Sequence, residues 1–110
     1  MSTITTHILD TSTGRPAEGV IVTLYTADAG NEPKPIAQGH TNKDGRIMEW
    51  PATGAPGVYK IRFETKAYFD RHTIPTFYPF VEIDFEMKDE GHYHIPLLIS
   101  PFGYSTYRGS

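Results

Sequence analysis

Val58-Tyr59-Lys60-Ile61-Arg62-Phe63-Glu64 is the stretch from which the fold can be read. Tyr59, Ile61 and Phe63 alternate with charged residues, so an extended chain turns the apolar set to one side and the charges to the other. Phe80 to Met87 repeats the pattern, with Val81, Ile83, Phe85 and Met87 inward against Glu82, Asp84 and Glu86. Val20 to Thr26 is a β-branched run that follows turn-forming residues from Asp10 to Pro16. Thr5 to Leu9, Ile36 to Thr41, Arg46 to Trp50, Tyr93 to Ser100 and Tyr104 to Arg108 complete about eight strands. Asn42-Lys43-Asp44-Gly45 reads as a hairpin turn between two of them, because Asp-Gly tolerates positive φ. Thr65 to His72 breaks the period and predicts two helical turns, with Thr65 as the N-cap. Short strands punctuated by turns predict an all-β sandwich or barrel.

The 110 residues are expected to form a single domain, residues 1–110. A net charge of -3 without a basic run argues against nucleic acid as a partner. The absence of cysteine excludes disulfides and thiolate metal sites and fits a reducing compartment. No apolar run reaches membrane-spanning length, and Met1-Ser2-Thr3-Ile4 lacks the character of a signal peptide. A soluble, cytoplasmic protein without a membrane partner is the expectation.

Alternation also sorts the polar residues. Tyr93, Ile95, Leu97 and Ile99 take the core side of their strand, which leaves His92, His94, Pro96 and Leu98 outward. With Ile4 and Ile8 in the core, Thr5, His7 and Leu9 point out. An outward face that mixes His, Leu and Pro suggests a surface covered by another subunit. The bland reading of each residue competes with this. A lone strand histidine is usually surface, and His40, His72 and His92 are read so. His92 and His94 have the His-x-His spacing of a chelate, yet no cysteine or acidic third ligand stands beside them. Arg46, after its turn, would ordinarily be solvated. The aromatic residues serve a small core better than a carbohydrate surface. The glycines lie in turns and not in a phosphate loop, and no serine sits in a nucleophile elbow. The closing Tyr107-Arg108-Gly109-Ser110 is compact and unlike a frayed end, so it is expected to be docked and used.

Three segments together carry a resemblance. His7-Ile8-Leu9-Asp10 with Gly14-Arg15-Pro16-Ala17, the Asp44-Gly45-Arg46 turn, and His94 through Ser110 resemble the 5-hydroxyisourate hydrolase family, transthyretin-related proteins of urate breakdown. The similarity covers essentially the whole chain, and the terminal Tyr-Arg-Gly-Ser is its specific part. It implies a transthyretin-like (prealbumin-like) sandwich of two four-stranded sheets with one short helix, assembled as a homotetramer with active sites at the dimer–dimer interface. It implies hydrolysis of a purine-derived small molecule, 5-hydroxyisourate, without metal or other cofactor. It places the functional residues on His7, Arg46 and His94, with Tyr107, Arg108, Gly109 and Ser110 lining the same cleft. Which histidine is the general base stays open. Three rivals remain: a transthyretin-type binding protein without catalysis, a structural sandwich, and a metal hydrolase using His92 and His94.

Overall fold

The computed structural model describes residues 2–27, 32–47, 50, 53–89 and 91–109. Its elements run β1 (Ser2–Asp10), β2 (Arg15–Pro16), β3 (Ile21–Thr26), β4 (Lys34–His40), β5 (Thr53–Gly54), β6 (Gly57–Phe63), α1 (Thr65–Arg71), β7 (Val81–Met87), β8 (His92–Ser100) and β9 (Gly103–Thr106). One sheet has the order β2-β1-β8-β9, with the two-residue β5 also paired to β1. The other has the order β4-β3-β6-β7. All pairings are antiparallel except β1 with β8, which run parallel.

The two faces predicted from alternation meet in one core. Ile4, Ile8, Leu97 and Ile99 of the first sheet lie buried with Leu24, Ile61 and Phe63 of the second. A residue such as Phe63, at 0% exposure, contributes about 1.5–3 kcal/mol through apolar burial. Helix α1 follows β6 directly and adds Tyr68 and Phe69 to the interior. Tyr68 anchors it by donating its hydroxyl to Asp10 Oδ2 at 2.9 Å. Asp10, at the end of β1, also accepts from the backbone N–H and hydroxyl of Ser12 through Oδ1. The buried carboxylate is thus satisfied from three sides, as burial requires. Burial, followed by the bond to Asp10, pushes the Tyr68 phenol up to about 12.

Two expectations are corrected. Thr65 is not the N-cap: the cap position falls on Glu64, which makes no side-chain capping bond. The inward alternation of Ile61 and Phe63 carries on to Thr65, which buries its hydroxyl without a hydrogen-bond partner among the described residues. The predicted strand Arg46–Trp50 is also not formed at its described residues. Arg46 makes one isolated bridge, Ile47 and Trp50 lie outside strands, and Met48 and Glu49 are outside the described residues. The reason is the direction in which the turn leaves. Gly45 has φ +75°, and its carbonyl accepts from the Ile8 N–H at 2.9 Å, so the turn is tied to β1 at Gly45 and Arg46. The Ile47 and Trp50 side chains then lie beside Gly39 of β4 without strand pairing.

Candidate functional site

The outward face of the first sheet is assembled from four separate pieces of chain. In the parallel ladder Thr3 pairs with His92, Thr5 with His94, and His7 with Pro96. His7 and His94 therefore project from adjacent strands on the same face, both half-buried. Arg46 borders β1 through its antiparallel bridge to His7. Gly109 borders β8 through a bridge to His94, its N–H donating to the His94 carbonyl at 2.9 Å.

Local sequence explains both flanks. In the turn before Arg46, Asn42 Oδ1 accepts the backbone N–H groups of Asp44 and Arg46 at 2.9 and 3.1 Å. This is an Asx-type closure that a loop of Lys, Asp and Gly needs to reverse tightly. A Cβ on Gly45 would lie 2.5 Å from the Ile8 carbonyl oxygen and 3.3 Å from His7 Cδ2, so only glycine lets this turn press against β1. On the other side, the register that pairs Leu97 with Thr106 continues without a slip to His94 and Gly109. The ladder is interrupted where Pro96 faces Tyr107, since proline has no N–H to donate. Thr106 compensates by donating its hydroxyl to the Pro96 carbonyl at 2.7 Å. Gly109 then sits directly on the His94 ring: a Cβ there would collide with His94 Cδ2 and lie 3.1 Å from Cγ.

The structure thus brings His7, Arg46, His94 and Gly109 to one place. Tyr107 and Arg108 lie on the tail side of His94, along a cavity that His94 also lines. The Arg108 guanidinium lies over the Tyr93 ring at 4.6 Å from its centroid. Tyr107 and Arg108 help line this cavity of about 250 Å³ with Ile83, Phe85, Glu86, Tyr93, His94 and Ile95, under the tail and at the edge between the sheets. Ser110 lies outside the described residues.

Electrostatics single out His94. Its pKa is lowered from 6.5, first by burial, then by the positive Arg46, and then by His92 and His7. The neutral imidazole, able to accept a proton, is the favoured form. None of the ion pairs among the described residues occupies Arg46, which leaves its planar fork of donors available. His92 Nδ1 meets the Thr3 hydroxyl at 2.8 Å, and His94 Nδ1 meets the Thr5 hydroxyl at the same distance. Sequence reasoning placed Thr5 on the face of His7 but gave it no part. Its partner became visible only once β1 and β8 were paired. Among the described residues no group of three or more His, Asp or Glu is arranged to hold a metal. No described helix is long and apolar enough to cross a membrane.

Such a face can bind a planar polar molecule between a guanidinium and two imidazoles and move protons at its edge. Known proteins of this kind share its sequence and shape. The model of the HIUase/Transthyretin family matches residues 4–109. A probable 5-hydroxyisourate hydrolase of Schizosaccharomyces pombe is 46% identical, over 97% of this chain and 90% of that protein. The structure of Klebsiella pneumoniae 5-hydroxyisourate hydrolase superposes with a TM-score of 0.85 at 44% identity, covering 100% of this chain and 94% of that one. Sea bream transthyretin in complex with thyroxine gives a TM-score of 0.90 at 33% identity, covering 96% and 93%. Backbone shape alone therefore favours the binding protein slightly, whereas residue identity favours the hydrolase. Identity is the better guide here, because function resides in side chains carried on a shared fold.

Proposed function

The chain belongs to the HIUase/Transthyretin family and is a hydrolase, and we propose that its reaction is the opening of 5-hydroxyisourate to 2-oxo-4-hydroxy-4-carboxy-5-ureidoimidazoline. The observation that carries this reading is the meeting of His7, His94 and Arg46 on one sheet face, closed on one side by Gly109. Hydrolysis of a cyclic amide needs a base for the attacking water, a donor for the tetrahedral oxyanion and a proton for the departing nitrogen. The two imidazoles serve as base and acid near neutral pH. Arg46 holds the polar edge of the substrate and stabilises the developing negative charge. A passive binding protein has no need of two proton-transferring rings beside a free guanidinium.

The outward face is open on a single chain, and electrostatic catalysis weakens in contact with bulk water. The same reading therefore includes a homotetramer in which this face is covered at the dimer–dimer interface. Light scattering in solution should give the mass of four chains; a monomeric mass with full turnover would remove the tetramer from the mechanism.

The test of the reaction is the decay of freshly generated 5-hydroxyisourate absorbance with the intact protein and with His7→Ala, Arg46→Ala and His94→Ala. No acceleration over the spontaneous decay by the intact protein would defeat the assignment. The pH profile adds a sign. A lowered His94 pKa keeps the base form populated as pH falls past 6.5, so the acid limb of kcat/KM lies below that value. Arg46→Gln removes a positive neighbour that lowers this pKa, and the limb moves to higher pH as the rate drops. A limb above 6.5, or one that Arg46→Gln leaves in place, contradicts the role given to His94.

A further inference from the structure

Beside His94 the outward face carries an unbroken row of hydrogen-bonding side chains that the mechanism above does not use. Thr3 Oγ1 lies 2.8 Å from His92 Nδ1, Thr5 Oγ1 lies 3.2 Å from His92 Nε2, and Thr5 Oγ1 lies 2.8 Å from His94 Nδ1. The parallel register produces the row by setting each threonine opposite a histidine. The two imidazoles lie nearly parallel, 12° apart with centroids at 6.3 Å. A hydroxyl donates one hydrogen bond and accepts others, and a neutral imidazole has one donor and one acceptor nitrogen. The row can therefore be polarised in either direction with every atom satisfied. His92 is exposed to solvent, whereas His94 is half-buried.

We propose that Thr5 and His92 form a proton relay between His94 and solvent, with Thr3 holding the outer ring; this rests on the hydrolytic reading above. As the water oxygen bonds to the amide carbon and the carbon–nitrogen bond breaks, the departing nitrogen becomes a neutral ureide. It takes one of the water's protons. The new carboxylic acid is fully ionised at neutral pH, so the second proton must leave the site each turnover. His94 Nε2 receives that proton and releases its Nδ1 proton to Thr5 Oγ1. The Thr5 hydroxyl proton passes to His92 Nε2, and His92 Nδ1 gives its proton to the Thr3 hydroxyl and solvent. No oxidant or further reactant is needed. The cationic and imidazole groups around His94 suit this direction, while Glu86 lines a cavity with it and a bond to the Thr5 backbone favours its protonated form. Arg46 from the turn, His7 on β1 and His92 on β8 all disfavour a proton on it. Arg108, on the adjoining tail, turns its charge to Tyr93.

The experiment compares Thr5→Val, Thr5→Ser and His92→Gln with the intact protein in steady-state turnover of 5-hydroxyisourate, with and without added imidazole. Thr5→Val and His92→Gln are expected to lower kcat by about tenfold, less than the roughly 10²–10⁴-fold of a direct acid–base group because they act through His94, with KM little changed. Thr5→Ser, which keeps the hydroxyl, should recover most of the loss, and free imidazole should restore part of the His92→Gln rate. Equal slowing by Thr5→Ser and Thr5→Val would show a packing role and overturn the relay, as would an unslowed His92→Gln. Thermal unfolding checks the fold, and His92, being exposed, carries the test even if Thr5→Val does not fold. An intact protein without turnover sinks the hydrolase reading and the relay together; an active intact protein with unslowed variants sinks the relay alone.

Discussion

His94→Ala should lower kcat by about 10²–10⁴-fold, the range lost when a positioned acid–base group is removed, while leaving the folded state in place. The expectation follows from where the ring stands. His94 projects from the outward face of β8, so its removal opens no cavity in the core formed by Tyr93, Ile95, Leu97 and Ile99. Outward substitutions of this sort usually shift stability by about 0.5 kcal/mol or less, and urea unfolding will show whether this one does. The chemistry loses far more, because water in the vacated space has neither the fixed position nor the neutral-range basicity of the ring. Combining His7→Ala with His94→Ala provides a sharper check. If the two rings work on the same proton transfers, the double variant will be barely slower than the worse single one. Rates that multiply would show two independent roles, and a His94→Ala protein within about threefold of the intact rate would end the case for His94 as an acid–base group.

Gly109→Ala is expected to cost about 100-fold in kcat, comparable to displacing a catalytic group by about 1 Å. The added methyl has nowhere to go. It collides with His94 Cδ2 and sits 3.1 Å from Cγ and 3.2 Å from Pro96 Cγ, so either the ring or the tail must move. Both movements harm the site. A displaced ring leaves the Thr5 hydroxyl, and a displaced tail breaks the 2.9 Å bond from the Gly109 N–H to the His94 carbonyl. Gly103→Ala is the matched control, because a Cβ there meets only Ser100 Oγ at an ordinary 3.6 Å. The control should keep its rate and the site variant should not. If both proteins turn over alike, the tail does not position His94.

Part of this arrangement could be read from the residues themselves. Strands β6 and β7 follow from simple alternation, and the observed burial of Tyr59, Ile61, Phe63, Val81 and Met87 agrees with it. The same period of two placed His7 and His94 outward, and both are. The turn at Asn42 to Gly45 was legible, but its destination was not. A glycine with positive φ permits a reversal without saying which strand receives the exit, and here it is β1. Thr65 failed as a cap because a strand's inward alternation ran on into the helix, which a local capping pattern cannot foresee. Thr3, Thr5 and His92 carried no signal as a group, since residues about ninety positions apart in the chain meet only through the pairing of its two ends.

Composition and periodicity, then, determined which side chains face inward and which are left to do chemistry, because burial answers to the spacing of apolar residues along an extended chain. Tertiary structure alone decided which of the outward groups meet. The parallel ladder of β1 with β8 aligned Thr5 with His94, the Gly45 turn carried Arg46 to His7, and the continued β9 register laid Gly109 on His94. Strand order and register are long-range choices set by the fit of the whole core, and no short stretch of sequence contains them.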